Sequence, residues 1–408
     1  MGSPERSRLG IICGRLTEET CVRRMVVTLR GGDLSRLRQL NSLTAIGMLR
    51  ASGPLTLSAL AERAGLSRPS MKEVVDELME LGWVEETPPA QGTIGRPARR
   101  YRFRARSGYL VGLDLGGHNI RAALSDLNGE ILAEARQPVQ PDTPLPERLA
   151  TIERTVASCL ALGGKTIADV WIVAAGTIGV ITTDGRIRYC AAIPAWTGLD
   201  LAGHLRRMFP CEVIVENDSR LAARAEAVRG AARGANDVVF LHVGRRMGAA
   251  VIVDGKVHRG FGAAAGEIAM LPHVQWTEAS EHLQNCSIIP EDTSPAEAAG
   301  YTLAAARAGD PVAVAAVERY VDDLAVGTSA MVLLLDPQVV VLGGGFSRSA
   351  DVLLPPLRER LERACIRMPE VRASTLGDEC VVTGAIDYAV AHLDQQLFTP
   401  DAPLPTSR

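Results

Sequence analysis

Residues 109–131 read YLVGLDLGGHNIRAALSDLNGEI, and residues 238–257 read VVFLHVGRRMGAAVIVDGKV. Each stretch consists of apolar, strand-like runs separated first by a glycine-bearing turn and then by an Asn-Gly or Asp-Gly turn, which is the pattern of consecutive antiparallel strands. Each also leads into a mixture of helix and strand patterns that is typical of α/β domains. The repeat therefore predicts an α/β body of two similar lobes produced by duplication.

The rest of the body is expected to continue this alternation over residues 109–393. A C-terminal tail is expected at 394–408, where the composition becomes proline-rich. Apolar runs predict further strands at 170–174, 212–215 and 339–342, and apolar residues at helical spacing predict helices at 145–162, 219–229, 311–335, 353–365 and 383–393.

Residues 31–106, which follow an N-terminal tail of 30 residues, have the pattern of a winged helix-turn-helix. Apolar residues recur at three-residue steps over 37–49, which predicts the first helix. Thr56 is placed to cap a short second helix and Ser67 to cap a third, since both side chains can accept from the amides of a first helical turn. Two alternating runs, 83–86 and 100–104, then predict a hairpin whose tip is rich in Gly, Pro and Arg.

The third helix and the hairpin carry the candidate DNA contacts. A recognition helix places its N-terminal residues near base edges in the major groove, while cationic side chains on the wing reach phosphates or the minor groove. A winged domain that binds only protein is the alternative. The candidate contacts are Ser67, Arg68, Ser70, Lys72, Arg96, Arg99, Arg100 and Arg102.

The charge distribution supports a separate polyanion-binding module. Residues 1–106 carry 18 Lys/Arg and 11 Asp/Glu, whereas the remainder carries 26 and 36. The longest uncharged apolar stretch, 324–335, is too short to cross a bilayer, and the first ten residues lack a secretory apolar region. The eight cysteines contain no C-x-x-C pair, so we expect reduced thiols in a cytoplasmic protein.

The chain resembles the ROK family (repressors, open reading frames and kinases), specifically its repressor branch. The similarity runs from about residue 31 to 393. The stretches that carry it are LTLSALAERAGLSRPSMKEVVDELMELGWV, GRPARR, VGLDLGGHNIRAAL, VENDSRLAARAE, DGKVHRGFGAAAGEI, AGDPVAVAAV and DPQVVVLGGGFS. The resemblance implies a two-lobed sugar-kinase/actin-like body around a cleft, assembled as a dimer or a larger oligomer.

The resemblance also implies three glycine turns that hold phosphates in the family's kinases. His118 follows the first turn where a hydroxyl-bearing residue is expected. In the second turn, Arg245 and Arg246 replace a small hydroxyl residue and a glycine. The alternative is that the glycines serve only as hairpin turns. The turn residues retained here are Asp114, Gly116, Gly117, Gly244 and Gly344.

Asn217 and Asp218 match the pair that grips the sugar in this family, where the aspartate is the general base, and Glu267 matches a further sugar contact. Asp218 also precedes a helix, so it is an equally good candidate for that helix's N-cap. Met270 stands where the family has a histidine.

The cysteine-rich zinc segment of the family is absent. His273, His282 and Cys286 are left in its place without a recognised ligand spacing, so we expect surface-loop residues and no metal.

These observations favour a sequence-specific transcriptional regulator, acting as a repressor, over an enzyme. Its expected partners are an operator duplex, a second copy of the chain and a sugar or sugar derivative, with no cofactor and no membrane. One alternative is a bifunctional or relic ATP-dependent sugar kinase, in which Asp218 would be the catalytic remnant. Another is a DNA-bound scaffold that needs no small ligand.

Overall fold

The N-terminal domain contains three helices and a small antiparallel sheet. The structure, a computed structural model, describes residues 34–88 and 98–397 together with Leu404. The sheet has the order β1-β3-β2, as in a winged helix-turn-helix. The elements are α1 (Leu34–Ser52), β1 (Leu55–Thr56), α2 (Leu57–Ala64), α3 (Arg68–Glu80), β2 (Val84–Thr87) and β3 (Arg100–Phe103).

The caps of this domain form as the sequence predicts. The Thr56 hydroxyl accepts from the Ala59 amide at 3.2 Å, and Gly65 ends α2 in the left-handed region with φ 64°. A residue with a side chain would be strained there, which is why the chain breaks at this glycine. The tip of the wing, 89–97, and the N-terminal tail lie outside the described residues.

The first lobe is a five-stranded sheet in the order β10-β7-β4-β5-β6, with parallel pairing of β10 with β7 and of β7 with β4, and antiparallel pairing of β4 with β5 and of β5 with β6. A two-stranded hairpin, β8-β9, extends from it. The elements are β4 (Tyr109–Leu115), β5 (Asn119–Asp126), β6 (Ile131–Pro138), α4 (Leu145–Leu162), β7 (Val170–Thr177), β8 (Val180–Ile181), β9 (Ile187–Tyr189), α5 (Leu201–Met208) and β10 (Glu212–Asn217).

The second lobe repeats that topology strand for strand, in the order β15-β14-β11-β12-β13 with the same parallel and antiparallel pairings. The prediction of two similar lobes is thereby confirmed. The elements are α6 (Asp218–Val228), β11 (Val238–His242), β12 (Gly248–Val253), β13 (Lys256–Val257), α7 (Glu281–Gln284), α8 (Ala298–Arg307), α9 (Pro311–Leu335), β14 (Val339–Gly343), α10 (Ala350–Ala364), β15 (Glu370–Ala373) and α11 (Cys380–Leu397).

Helices α6 and α11 cross between the two sheets, because α11 packs on the first sheet, α6 packs on the second, and the two helices pack on each other. The crossing requires a glycine. A Cβ added at Gly384 would lie 1.8 Å from the Leu221 carbonyl oxygen, so the two backbones are in direct contact. Helix α11 also runs to Leu397, four residues into the stretch expected to be tail.

One continuous apolar core joins the winged domain to the first lobe. It includes Leu49 and Trp83 of the winged domain, Ile172 of β7, and Leu393 of α11. The Trp83 ring meets the Trp171 ring edge-on at 5.7 Å across the boundary. Among the described residues, no helix combines the length and apolar character needed to cross a membrane.

Candidate DNA interface and ligand cleft

The start of α3 presents a polar, exposed edge to solvent. Ser67 caps the helix, because its hydroxyl accepts from the Ser70 amide at 3.2 Å and shares a hydrogen bond with the Ser70 hydroxyl at 2.8 Å. Arg68, the first helical residue, is exposed and makes no hydrogen bond or ion pair within the described part of the chain. Its guanidinium is therefore available to donate to a base edge or a phosphate.

Lys72 is not free in the same way. Its ammonium group pairs with Asp76 one turn further along α3, and this hydrogen bond and charge raise the lysine's pKa. DNA would have to compete with the carboxylate for this ammonium group.

The three described wing arginines occupy different environments. Arg99 lies 3.2 Å from Glu86, and Arg102 lies 2.5 Å from Glu85, so both are exposed and paired with carboxylates on β2. Arg100 instead is half-buried and donates to the Pro54 carbonyl, which ties β3 to the segment before β1. Arg96 lies outside the described residues.

A cleft of about 610 Å³ opens between the two lobes of the body. It brings together residues that are far apart in the sequence: Asp114, Asn217, Asp218 and Glu267 all line it. Concave sites that gather a few convergent polar groups are the usual location of small-ligand binding.

Asn217, rather than Asp218, caps α6. The Asn217 side-chain oxygen accepts from the Arg220 amide at 3.1 Å, and its amide group donates to the Gly179 carbonyl at 3.1 Å. Asp218 is the first helical residue, and its carboxylate contacts only its neighbour Ser219. The interpretation of Asp218 as the cap is therefore wrong, because the cap lies one residue earlier. Asp218 itself lines the cleft.

Two acids of the cleft, Glu267 and Asp114, are pushed toward their protonated forms. Burial, and then the charge of Asp218, raise the pKa of Glu267. Burial raises the pKa of Asp114 to about 7, although the Arg121 guanidinium opposes the shift. Since desolvation disfavours the charged form of a carboxyl, a hydroxyl-rich ligand that donates to these oxygens would be favoured over another anion here.

The first glycine turn is held from behind by a buried arginine. Arg148 of α4, with none of its surface exposed, donates to the carbonyls of Gly116, Gly117 and Gln140 at 2.8 Å each. The Gly116 amide is also used, because it donates to the Asn119 carbonyl at 3.0 Å and closes the hairpin. This glycine therefore serves as a hairpin residue, in line with the alternative interpretation of the turn.

The second turn reaches across the cleft to the first. The Arg245 guanidinium lies 3.2 Å from Nδ1 of His118, so two of the three turn residues that depart from the kinase pattern contact each other. Burial and the neighbouring Arg245 charge lower the pKa of His118, which favours the neutral ring that can accept from an arginine. Arg246, beside them, is exposed and also lines the cleft.

The third turn depends on its glycine. Gly344 has φ 84°, and a Cβ there would lie 2.5 Å from both the His242 ring and the Val243 carbonyl. A Cβ added at Gly244, by contrast, would lie 3.6 Å from its nearest neighbour, which is an ordinary van der Waals contact.

The residues left in place of the zinc segment are dispersed. His282 lies 3.1 Å from Asp323, Cys286 is buried, and His273 is exposed. Within residues 34–88 and 98–397, no group of three His, Cys, Asp or Glu side chains is arranged to hold a metal ion. Met270 is exposed at the cleft lining.

Three arginines of the body were missed by sequence reasoning. Arg148 is one. Arg121 donates to the Asp378 carbonyl at 2.7 Å, and the buried Arg220 pairs with Glu216 at 3.1 Å while donating to the carbonyls of Ala263 and Ala265. Apart from Glu216 and Gln140, their partners are 31 to 257 residues away along the chain. Only the i,i+4 spacing of Glu216 and Arg220 was visible as a pattern.

Comparison with known proteins agrees with this architecture. The model of the ROK family matches residues 110–287 and 290–391, and the model of the MarR family matches residues 38–92. The chain therefore belongs to the ROK family, and its N-terminal winged domain makes it a regulator of the family's transcriptional branch.

Particular relatives include both regulators and kinases. The DNA-binding transcriptional dual regulator NagC of Escherichia coli K12 is 26% identical over 374 residues, which cover 84% of this chain and 88% of that protein. A solved ROK family transcriptional regulator described as a homologue of the E. coli MLC protein shares the fold at a TM-score of 0.67 and 19% identity, over 90% of this chain and all of that one. A Streptomyces griseus ROK family glucokinase, solved with glucose and AMPPNP, is 26% identical with a TM-score of 0.61, over 69% of this chain and 99% of that one.

Proposed function

We propose that the protein is a transcriptional repressor that binds an operator through α3 and the wing and whose cleft takes a sugar or sugar derivative. The observation that carries the proposal is the union of two sites in one molecule. Arg68 is exposed at the start of a capped helix and is unpaired within the described part of the chain. That helix belongs to a domain whose core is continuous with the lobe that lines the cleft.

Operator binding is tested by selecting duplexes from a random library and footprinting the winners. We expect a pseudo-palindromic site whose half-site centres are about one helical turn apart, or a multiple of it. Arg68→Ala should relax specificity at one base position and cost about 1–3 kcal/mol. Arg102→Ala, the matched wing variant, should weaken all sequences alike and flatten the salt dependence. Absence of any protected site, with salt-insensitive binding, would refute operator recognition.

The cleft ligand is inferred from its carboxylates. Asp218 lines the cleft, and Ser219 is its one hydrogen-bond partner among the described residues. Glu267 lies close enough for the Asp218 charge to raise its pKa. Such acceptors suit sugar hydroxyls, while the exposed Arg246 suits a phosphate on the same ligand. Because Met270 offers no ring nitrogen, a plain hexose should bind weakly.

The ligand is tested by titrating sugars and sugar phosphates in a calorimeter. Asp218→Ala should abolish the effect of a binding sugar on operator affinity and leave ligand-free DNA affinity nearly intact. Since Asn217 is the cap, the variant should fold normally. Asp218→Asn is the control that removes the charge and keeps the shape of the side chain. A full ligand response in Asp218→Ala would place the ligand elsewhere, and a panel in which nothing binds would favour the scaffold alternative.

We infer further that phosphoryl transfer is lost. Catalysis of this reaction depends on positioned amides and cations around the phosphates. Here His118 of the first turn and Arg245 of the second contact each other, and the Gly116 amide is already used. A coupled assay of sugar-dependent ADP release should therefore stay at background. Turnover at an ordinary kinase rate would refute this and support the bifunctional alternative.

Operator recognition by two-fold half-sites also requires a second copy of the chain. The C-terminal half of α9 offers a surface for it, because Val326, Leu333 and Leu334 are exposed in a stretch of 12 residues without any charge. Two identical uncharged faces can meet without leaving an ionised group unpaired. Leu334→Glu, with Leu162→Glu as the exposed control, should shift the mass measured by light scattering from dimer to monomer. A dimer retained in Leu334→Glu would exclude this face.

A further inference from the structure

Helix α11 spans the whole distance between the cleft and the winged domain. Its first residues, Cys380 and Val381, line the cleft. Eighteen residues of α-helix are about 27 Å long, so one rigid element reaches from one site to the boundary of the other.

The cleft end of α11 is fastened to both lobes. Asp378, two residues before the helix, lies 3.1 Å from Arg348 of the second lobe and 3.6 Å from Arg121 of the first, and all three side chains line the cleft. A ligand that changes the spacing of the lobes would change this pair of contacts, and with them the start of the helix.

The middle of α11 is fastened to the segment that carries the cleft's ligand residues. Strand β10 and helix α6 meet at Asn217 and Asp218. At the start of that segment, Glu212 lies 2.6 Å from His392 of α11. At its far end, Arg229 forms a two-contact ion pair with the buried Asp387, at 2.8 and 3.1 Å. Between them lies the backbone contact of α6 with Gly384.

The far end of α11 is fastened to the winged domain. The Arg50 guanidinium of α1 pairs with Asp394 and donates to the Leu127 carbonyl at 3.0 Å and to Asn128 Oδ1 at 3.1 Å. The same guanidinium lies 5.4 Å from the centre of the Phe103 ring in β3. One largely buried side chain therefore touches α11, the β5–β6 turn and the wing.

We propose that α11 carries the state of the cleft to the DNA-binding domain and that Arg50 is the positioning residue at which the two are coupled. The inference rests on the proposed function for its biological use, but the coupling itself is a property of the free protein. Coupling of this kind requires a structural element that both sites influence, and α11 contacts the cleft at one end and the winged domain at the other.

The test is a double-mutant cycle read by amide hydrogen exchange, which needs neither an operator nor a ligand. The cleft-side change is Asp378→Asn, the boundary change is Arg50→Met, and the readout is exchange within α1 and α3 of the full chain. Asp378→Asn should change that exchange by about fivefold or more, the lower end of ordinary coupling between distant sites. In the Arg50→Met background the same change should have no further effect.

Two further variants keep the result decisive. Arg348→Gln changes an exposed side chain and removes one partner of Asp378, so it provides the cleft-side change if Asp378→Asn does not fold. Asp351→Asn breaks an exposed ion pair with Arg307 elsewhere on the second lobe and should leave α1 and α3 unchanged. The proposal is overturned if the cleft-side variants alter exchange only in the body, or if their effect on α3 persists undiminished without Arg50. Failure of the parent protein to bind any operator would instead count against the proposed function and would leave the exchange result unaffected.

Discussion

Arg148 provides the sharpest test of how the cleft is built. Replacing it with Met keeps an apolar stem of similar length but removes the guanidinium that donates to three carbonyls, two of which belong to the first glycine turn. The guanidinium also lies 5.2 Å from the centre of the Trp196 ring. We expect a destabilised protein in which the turn no longer holds its orientation.

The magnitude follows from those contacts. A buried acceptor left without its donor costs about 1–3 kcal/mol, so three carbonyls set an upper range of roughly 3–9 kcal/mol. Part of this is regained, because burial opposes the charge of Arg148, as its lowered pKa shows, and because water can enter from the cleft side. The expected net loss is about 3–5 kcal/mol, a large share of the 5–15 kcal/mol typical of a domain.

Urea unfolding followed by near-ultraviolet circular dichroism measures this loss, with Arg154→Met as the control. Arg154 lies on the same helix, is exposed, and donates only to the Thr151 hydroxyl, so its replacement should cost less than about 0.5 kcal/mol. If Arg148→Met is destabilised by less than about 1 kcal/mol, the three carbonyls do not depend on this donor and the account of the turn is wrong.

Three other expectations follow from single residues. Asp114 has a raised pKa of about 7 against an ordinary 3.8, so between these pH values the folded state holds a proton that the unfolded chain has released, and stability falls as pH rises. In Asp114→Asn the urea midpoint should fall less over this range than in the parent protein. An identical pH profile would contradict this expectation. In thermal unfolding, Gly344→Ala should destabilise the protein by more than about 1 kcal/mol, whereas Gly244→Ala should be nearly neutral. Equal shifts in the melting temperatures of the two variants would refute the argument from backbone conformation. Thr56→Ala should cost about 1 kcal/mol by loss of the cap on α2, with Thr56→Ser as the control that retains it; a melting temperature unchanged in Thr56→Ala would show the cap to be dispensable.

Local rules were enough for most of the fold. Helices α2, α4 and α9 have the bounds that caps, glycines and prolines indicate. The duplicated strand and turn pattern gave the two lobes, since the alternation of apolar residues and the Asn-Gly and Asp-Gly turns act over a few residues only.

Elements stabilised mainly by distant partners were not predicted. The short helices α5 and α8 and the hairpin of β8 and β9 were not predicted, because short elements give little periodicity unless a cap and a glycine mark both ends, as they do for α2. Helix α10 begins three residues earlier than expected and includes Pro355 and Pro356, which local rules exclude from a helix interior. Its buried leucines, among them Leu357 and Leu361, supply the packing that outweighs that penalty.

The same division holds for the cleft. Asn217, Asp218 and Glu267 were placed from motifs, and the structure brings them to one lining. Which of the first two caps α6 could not be settled from the sequence, because Asn and Asp are equally good caps and the choice depends on one residue of helix onset. Arg148 gave no signal at all, since it sits on an ordinary helical face and its partners are backbone carbonyls.

The departures at His118 and Arg245 have a different meaning together than apart. Taken singly, each is a lost phosphate contact and indicates decay of a kinase site. The structure places the two side chains 3.2 Å apart on opposite lobes, so the two changes together make one new contact between the lobes. An arginine can only donate, so this contact requires a neutral imidazole, and the lowered pKa of His118 meets that requirement. A second histidine state, protonated and repelled by Arg245, would open the same gap. The pair therefore joins the two lobes through a hydrogen bond that depends on the protonation state of His118.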